Sequence, residues 1–205
     1  VAGCVIVQPI AHKFDHSYVS SCMKKYPHHF KGVCLLNPQS PDPVKELEDY
    51  YADGFTGVRF NPGLWPPNQS MDDDVGRAVF TRAGELGMPV EFLCFKGLAT
   101  FSDTIEALMA VSPSTTVIIE HWGFFKQDEA SSEHWKELTE MALCPQVYVK
   151  LSAHFRVSSA DAPYPDLAPR FGELLDAYGS KRLMWGSDFP FVLDNCTYKE
   201  GKNAL

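Results

Sequence analysis

Short runs of consecutive apolar residues recur along the chain, each closed by polar, Gly or Pro residues and each followed by a stretch of helix length. Such a run reads as a strand buried on both faces, and its alternation with helices reads as repeated βα units with parallel pairing. The pattern predicts strands at Cys4–Gln8, Gly32–Leu36, Gly57–Phe60, Pro89–Phe95, Thr116–His121, Val147–Ser152 and Arg182–Gly186. It predicts helices at Ser17–Tyr26, Pro43–Asp53, Asp73–Leu86, Ser102–Val111, Ser132–Leu143 and Asp166–Tyr178. Asp42 before Pro43, and Ser102, are helix starts by residue type, because a side-chain oxygen and a first-turn proline both suit the unpaired N–H groups there.

Two architectures suit this alternation, an open doubly wound sheet and a closed eight-stranded barrel. A dinucleotide-binding sheet would carry Gly-x-Gly-x-x-Gly after its first strand, whereas here that strand runs into "QPIAHKFDHS". The expected fold is therefore α/β, a TIM (β/α)8-type barrel. The Pro-rich "NPGLWPPNQS" reads as a loop, and no linker separates two compositions, so residues 1–205 are expected to form a single domain. The 205 residues are 45% hydrophobic and 13% aromatic, enough for one sizeable core. A net charge of −8 disfavours nucleic acid as a partner. No apolar run approaches the roughly 18 residues of a membrane span, and no signal-peptide layout opens the chain, which leads us to expect a cytoplasmic protein with no membrane partner. The chain opens at Val1, inside an apolar run, so upstream sequence is expected and organellar targeting stays open. Six scattered cysteines without a Cys-x-x-Cys pair read as buried free thiols.

In a barrel, the residues at the carboxyl ends of the strands meet at the catalytic face. Here these are Gln8 and His12, Asn37, Arg59 and Asn61, Lys96, His121, Ser152 and His154, and Asp188. Asp188 follows the run "RLMWGS" and is either a site carboxylate or the cap of the next turn. His121 ends "TTVIIEH" at the same level, so the two could be metal ligands or a general acid/base pair. Arg59 is either buried with a carboxylate partner or grips a substrate carboxylate bidentately; Arg156 is a second such candidate, with a surface-loop alternative. Asn61 and His154 join them as substrate-binding candidates. Lys150 is expected to pair with a buried acid such as Glu91. "HKFDH", His12 to His16, reads as a solvated loop, with metal binding as the alternative, and Phe60 and Trp65 as aromatic packing under a loop or as a pocket wall.

"GVRFNP", "VIIEHWG", "VYVKLSA" and "RLMWGSDFPF", in this order and spacing, resemble the amidohydrolase-related (amidohydrolase 2) family of TIM-barrel hydrolases, and the likeness covers nearly the whole chain. Relatives in that family include lactonases of pyrone dicarboxylates and metal-dependent decarboxylases; "VIVQPIAHKFDHS" looks like the second strand and loop of plant and algal members. The resemblance implies that Asp188 is the last-strand aspartate, a general base on water or a metal ligand, and that His121 is the sixth-strand histidine. It implies that Arg59 and Arg156 hold substrate carboxylates. A divalent metal, zinc or manganese, would activate water beside His121 and Asp188; in metal-free members histidines and arginines do the polarising. The family's first-strand His-x-His pair has no counterpart in this chain and only Lys96 stands at the fifth-strand position, so the barrel is expected to lack its first strand and its final helix. The expected activity is hydrolysis of a lactone, ester or amide bond of a small carboxylated substrate. The alternatives are a decarboxylase on the same scaffold and a non-catalytic fragment; self-association into a homo-oligomer stays open.

Overall fold

The computed structural model describes residues 3–127 and 132–204. These fall into two compact units, residues 1–92 with 104–117 and residues 93–103 with 118–205.

The first unit contains β1 (Cys4–Val7), α1 (Ser17–Lys25), β2 (Phe30–Leu35), α2 (Pro43–Ala52), β3 (Gly57–Phe60), α3 (Asp74–Glu85), β4 (Val90–Phe92) and most of α4 (Ser102–Val111). Its strands follow the order β1-β2-β3-β4, each pair parallel, with Val7 opposite Val33, Val33 opposite Gly57, and Val58 opposite Val90. Parallel neighbours need a crossover between them, and the helices supply it. The apolar runs predicted buried strands, and β2 to β4 are buried through Val33, Cys34, Leu35, Val58, Phe60, Val90 and Phe92. Phe92 lies between Phe60 and Phe80, with ring centroids 5.5 and 6.3 Å away. Each such fully buried ring contributes about 2–3 kcal/mol through removal from water. Asp42 accepts from Lys45 N at 3.0 Å, with Pro43 opening α2, as the residue types predicted. Asp73 caps α3 in the same way, through Gly76 N at 2.8 Å. Gly76 is required there, since a Cβ would lie 1.7 Å from the Met71 carbonyl oxygen.

His16 departs from the solvated-loop expectation. It is buried at the start of α1, its Nδ1 lies 2.9 Å from the Phe14 carbonyl, and its Nε2 accepts from Leu35 N at 2.9 Å. The ring completes the hydrogen bonding at the end of β2, a partnership across 19 residues that no local pattern displays.

The second unit contains β5 (Val117–Ile119, whose first residue belongs to the first unit), α5 (Ser132–Glu140), β6 (Val147–Leu151), α6 (His154–Val157), α7 (Leu167–Tyr178), β7 (Leu183–Trp185) and α8 (Tyr198–Lys202). Its strands follow the order β5-β6-β7, with Val149 opposite Leu183 and Leu151 opposite Trp185. Along β6 burial alternates, with Val147, Val149 and Leu151 inside, the period of two expected of a strand. The Arg182 guanidinium, just before β7, donates to the carbonyls of Ala142, Cys144 and Val147 at 2.9, 3.0 and 3.3 Å. It thereby pins the start of β6. The chain leaves its strands earlier than predicted, after Ile119, Leu151 and Trp185, so Glu120, His121, Ser152 and Gly186 are the first loop positions. Four- and five-residue helices such as α6 and α8 carry too little periodicity to be read from sequence.

All six cysteines are free, but only Cys34 and Cys94 are buried, with burial pushing both thiols well above their usual range; Cys4 is exposed and Cys22, Cys144 and Cys196 are half-buried, against the expectation of six buried thiols. Among the described residues no helix is long and apolar enough to cross a membrane.

Candidate active site

The loops that leave β5, β6 and β7 bring together most of the chemistry foreseen for this unit. His121 Nδ1 lies 2.7 Å from Ser152 Oγ, and His121 Nε2 lies 3.9 Å from Asp188 Oδ1. The other Asp188 oxygen accepts from Arg156 Nε at 3.1 Å. The His121 and Asp188 side chains are 8% and 15% exposed, so the pair acts in a shielded environment. Arg156 runs past Phe155 and Phe191, its guanidinium carbon 4.9 and 5.3 Å from their ring centroids, which limits where its fork can point. Beneath them, Lys150 Nζ donates to Glu120 Oε1 at 3.0 Å. The acid expected for Lys150 is thus met by Glu120, fully buried and one residue before His121.

The backbone is strained at these same turns. His121, Trp122 and Phe124 after β5, Ala153 after β6 and Asp188 after β7 have φ of 52°, 56°, 56°, 54° and 53°. Left-handed conformations cost non-glycine residues about 1–2 kcal/mol each and persist where surrounding structure holds them, characteristically at functional sites. Here they turn His121 and Asp188 toward each other. Gly186 serves the same end, because a Cβ there would lie 2.9 Å from Ser152 Cβ and push β7 away from the residue that holds His121.

Hydrogen positions follow from the network. His121 Nε2 faces the Asp188 carboxylate, and Nδ1 faces a Ser152 hydroxyl that also lies 3.5 Å from the Lys150 carbonyl oxygen. A second histidine is fixed with less freedom. Trp122 Nε1 can only donate, so at 3.1 Å it requires a lone pair on His154 Nδ1 and puts the proton of the neutral ring on Nε2. His154 is 4% exposed, and its Nε2 has no hydrogen-bond partner.

Burial pulls the His154 pKa down to about 4. The unfolded chain, with an ordinary value near 6.5, therefore binds the proton first on acidification. Stability contributed by the neutral ring is complete above about pH 6.5 and is lost as pH falls toward 4, by roughly 2–3 kcal/mol in all. Denaturant midpoints measured from pH 7 to pH 4.5 should fall along this window, and His154→Phe should flatten the slope.

Among the described residues no group of three or more His, Cys, Asp or Glu side chains gathers where it could hold a metal ion. His121 and Asp188 supply two donors, and a guanidinium already bonds the second carboxylate oxygen and opposes a further cation. By themselves these two donors fall short of the three or four protein ligands that zinc takes.

The remaining candidates sit as follows. Arg59, in the first unit, stands in register opposite the buried Glu91 on β4. Asn61 is buried and its side-chain oxygen accepts from Gly63 N at 3.0 Å, capping the turn Pro62–Leu64. Gln8 donates to the carbonyls of Lys13 and Asp15 at 2.9 and 2.8 Å. Trp65 and Phe60 pack at 5.3 Å with Trp65 only 7% exposed, the packing reading of that pair. Lys96 extends over the Phe95 ring. Sequence reasoning placed Ser152 at a strand end without a role, and it missed the Trp122–His154 bond, whose partners are 32 residues apart.

Known proteins share this arrangement of elements. The chain is 25% identical over 189 residues to a 4-sulfomuconolactone hydrolase of Rhizobium radiobacter, covering 91% of this chain and 60% of the relative. It is 32% identical over 200 residues to an L-fucono-1,5-lactonase of Burkholderia ambifaria, covering 93% and 65%. The chain thus spans about three fifths of the length of the curated relatives it matches. A crystal structure from Pseudomonas putida, provisionally named a 2-pyrone-4,6-dicarboxylic acid hydrolase, superposes with a TM-score of 0.81 at 25% identity, covering 99% of this chain and 73% of the other. Other solved structures of this fold include one named as a TIM-barrel protein and a Burkholderia multivorans amidohydrolase with bound zinc. The fold is that of an incomplete TIM barrel. These relatives are bacterial, and none supports a special likeness to plant and algal members. The amidohydrolase family profile matches residues 1–205, end to end across the strand-end histidine, arginine and aspartate, and the chain belongs to that family.

Proposed function

We propose that the protein is a hydrolase that opens the ring of a small lactone, with Asp188 as general base and His121 as hydrogen-bond donor to the reacting oxygen. The carrying observation is the 3.9 Å gap between His121 Nε2 and Asp188 Oδ1, two shielded polar atoms that face each other without bonding directly. A water at a hydrogen-bond distance of about 2.8 Å from both would bridge that gap. Asp188 takes a proton from this water as its oxygen attacks the lactone carbonyl carbon, while the His121 Nε2–H stabilises the oxygen that becomes negative. Collapse breaks the bond between the carbonyl carbon and the ring oxygen, and the proton held by Asp188 passes to that oxygen. The product is an open hydroxy acid.

In this reading Arg156 acts on Asp188 and not on a substrate carboxylate. Its fork holds Oδ2, leaving Oδ1 aimed at the water. Ser152 does the same for His121. Every step above uses only residues of this chain. The names of the curated relatives, both lactone hydrolases, support the choice of bond. Residues 1–205 are taken as one domain, since a single family profile spans them.

Proton release at constant pH, recorded with L-fucono-1,5-lactone and 4-sulfomuconolactone, tests the reading. One proton per lactone opened, at a rate above spontaneous hydrolysis, is the expected result. Release of carbon dioxide would establish the decarboxylase alternative, and no reaction with either lactone would favour a non-catalytic chain.

A further inference from the structure

Three consecutive residues after β5 are bonded to alternate residues at the end of β6. Glu120 accepts from Lys150 Nζ at 3.0 Å, His121 Nδ1 lies 2.7 Å from Ser152 Oγ, and Trp122 Nε1 donates to His154 Nδ1 at 3.1 Å. The first bond anchors the chain before His121, and the second holds its ring. The third acts beyond His121, inside a turn whose residues 121 to 124 all have φ between 52° and 64°.

Consecutive left-handed residues, all but Gly123 carrying a Cβ, relax unless surrounding contacts tie them down. Trp122 is fully buried, and its bond to His154 is a tie on the side toward Phe124. His154 opens α6, and the same short helix carries Arg156, whose Nε holds Asp188 Oδ2 at 3.1 Å. One bond therefore registers the turn that presents His121 against the helix that restrains Asp188. The cavity lined by His154 has room for about one water, so the ring meets no substrate there and acts through Trp122.

We propose that Trp122 and His154 are positioning residues for ring opening, their hydrogen bond setting the 3.9 Å spacing between His121 Nε2 and Asp188 Oδ1 that a bridging water requires. The inference rests on the lactone reading for the use of that spacing, and goes beyond it by assigning the spacing to a bond outside the reacting atoms. A misplacement of about 1 Å at reacting groups costs up to about a hundredfold in rate. Loss of an alignment needed only in the transition state lowers kcat and leaves KM alone.

His154→Leu removes the acceptor, and His154→Asn restores one, because the Asn side-chain oxygen stands as many bonds from the backbone as Nδ1 does. In the whole chain, His154→Leu and Trp122→Phe should each lower kcat for L-fucono-1,5-lactone about thirtyfold, with KM within about twofold of wild type, and His154→Asn should recover most of the loss. The double variant Trp122→Phe with His154→Leu should be no slower than either single variant, since both break the same bond. Proton–nitrogen-15 correlations of the His121 ring, recorded at neutral pH, should move in His154→Leu and return toward wild type in His154→Asn. A kcat in His154→Leu within about threefold of wild type, no recovery in His154→Asn, or loss of the fold in both single variants would each overturn the proposal. So would His121 signals that ignore residue 154, whether or not the lactone opens. An inactive wild type whose His121 signals follow residue 154 as described would sink the hydrolase reading and leave the positioning role standing.

Discussion

Asp188→Asn should lower kcat for lactone opening by about a thousandfold, roughly 4 kcal/mol of transition-state stabilisation, with little change in KM or in stability. Asn keeps the size of the side chain but cannot accept a proton from water. Its amide oxygen can still take the Arg156 Nε–H that now bonds Oδ2. The left-handed backbone at residue 188, φ 53°, is one that Asn tolerates better than most side chains, so the turn should hold. Steady-state rates with either lactone, alongside denaturant unfolding, check this. A fall in rate below tenfold with an intact fold would remove Asp188 from the role of base, and a collapse of stability would mean that the carboxylate is structural.

The second large effect is expected below the site. Lys150→Met should destabilise the protein by about 3–5 kcal/mol, the usual consequence of removing one member of a buried ion pair while its partner stays charged. Glu120 is fully buried, and the Lys150 ammonium 3.0 Å away balances it. Met replaces the stem of lysine and removes only the charge, so cavity formation adds little. The double variant Lys150→Met with Glu120→Gln should recover a substantial part of the loss, because the uncompensated carboxylate is then gone. Urea unfolding of the wild type, the single variant and the double variant measures both steps. A loss under about 1 kcal/mol in Lys150→Met would show that Glu120 is neutral in the folded protein.

Apolar runs made the seven strands legible, although only β2 to β4 in the first unit and β5 in the second are buried nearly throughout, whereas β1 is largely exposed, β6 alternates and β7 is partly exposed. The same logic brought His121 and Asp188 to one level, and the structure holds them 3.9 Å apart. What sequence could not display were partnerships between residues distant along the chain. The bond between Arg156 and Asp188 spans 32 residues and had no local signal, and His154 gave no sign of its tautomer because the deciding donor, Trp122, is equally remote. His16 read as solvated loop for the same reason. Asn61 read as a strand-end polar group, whereas its side-chain oxygen serves a turn two residues on. The strained φ angles at His121, Ala153 and Asp188 had no signal at all, since none of these positions is glycine.

Water activation by Asp188 is tested by following the oxygen of water. L-Fucono-1,5-lactone turned over in water enriched in oxygen-18 should give an open hydroxy acid with one labelled oxygen in its carboxylate, at an enzymatic rate that Asp188→Asn lowers by about a thousandfold. Turnover that leaves the product unlabelled, or label that enters at the same rate in the Asp188→Asn variant, would contradict water activation by Asp188.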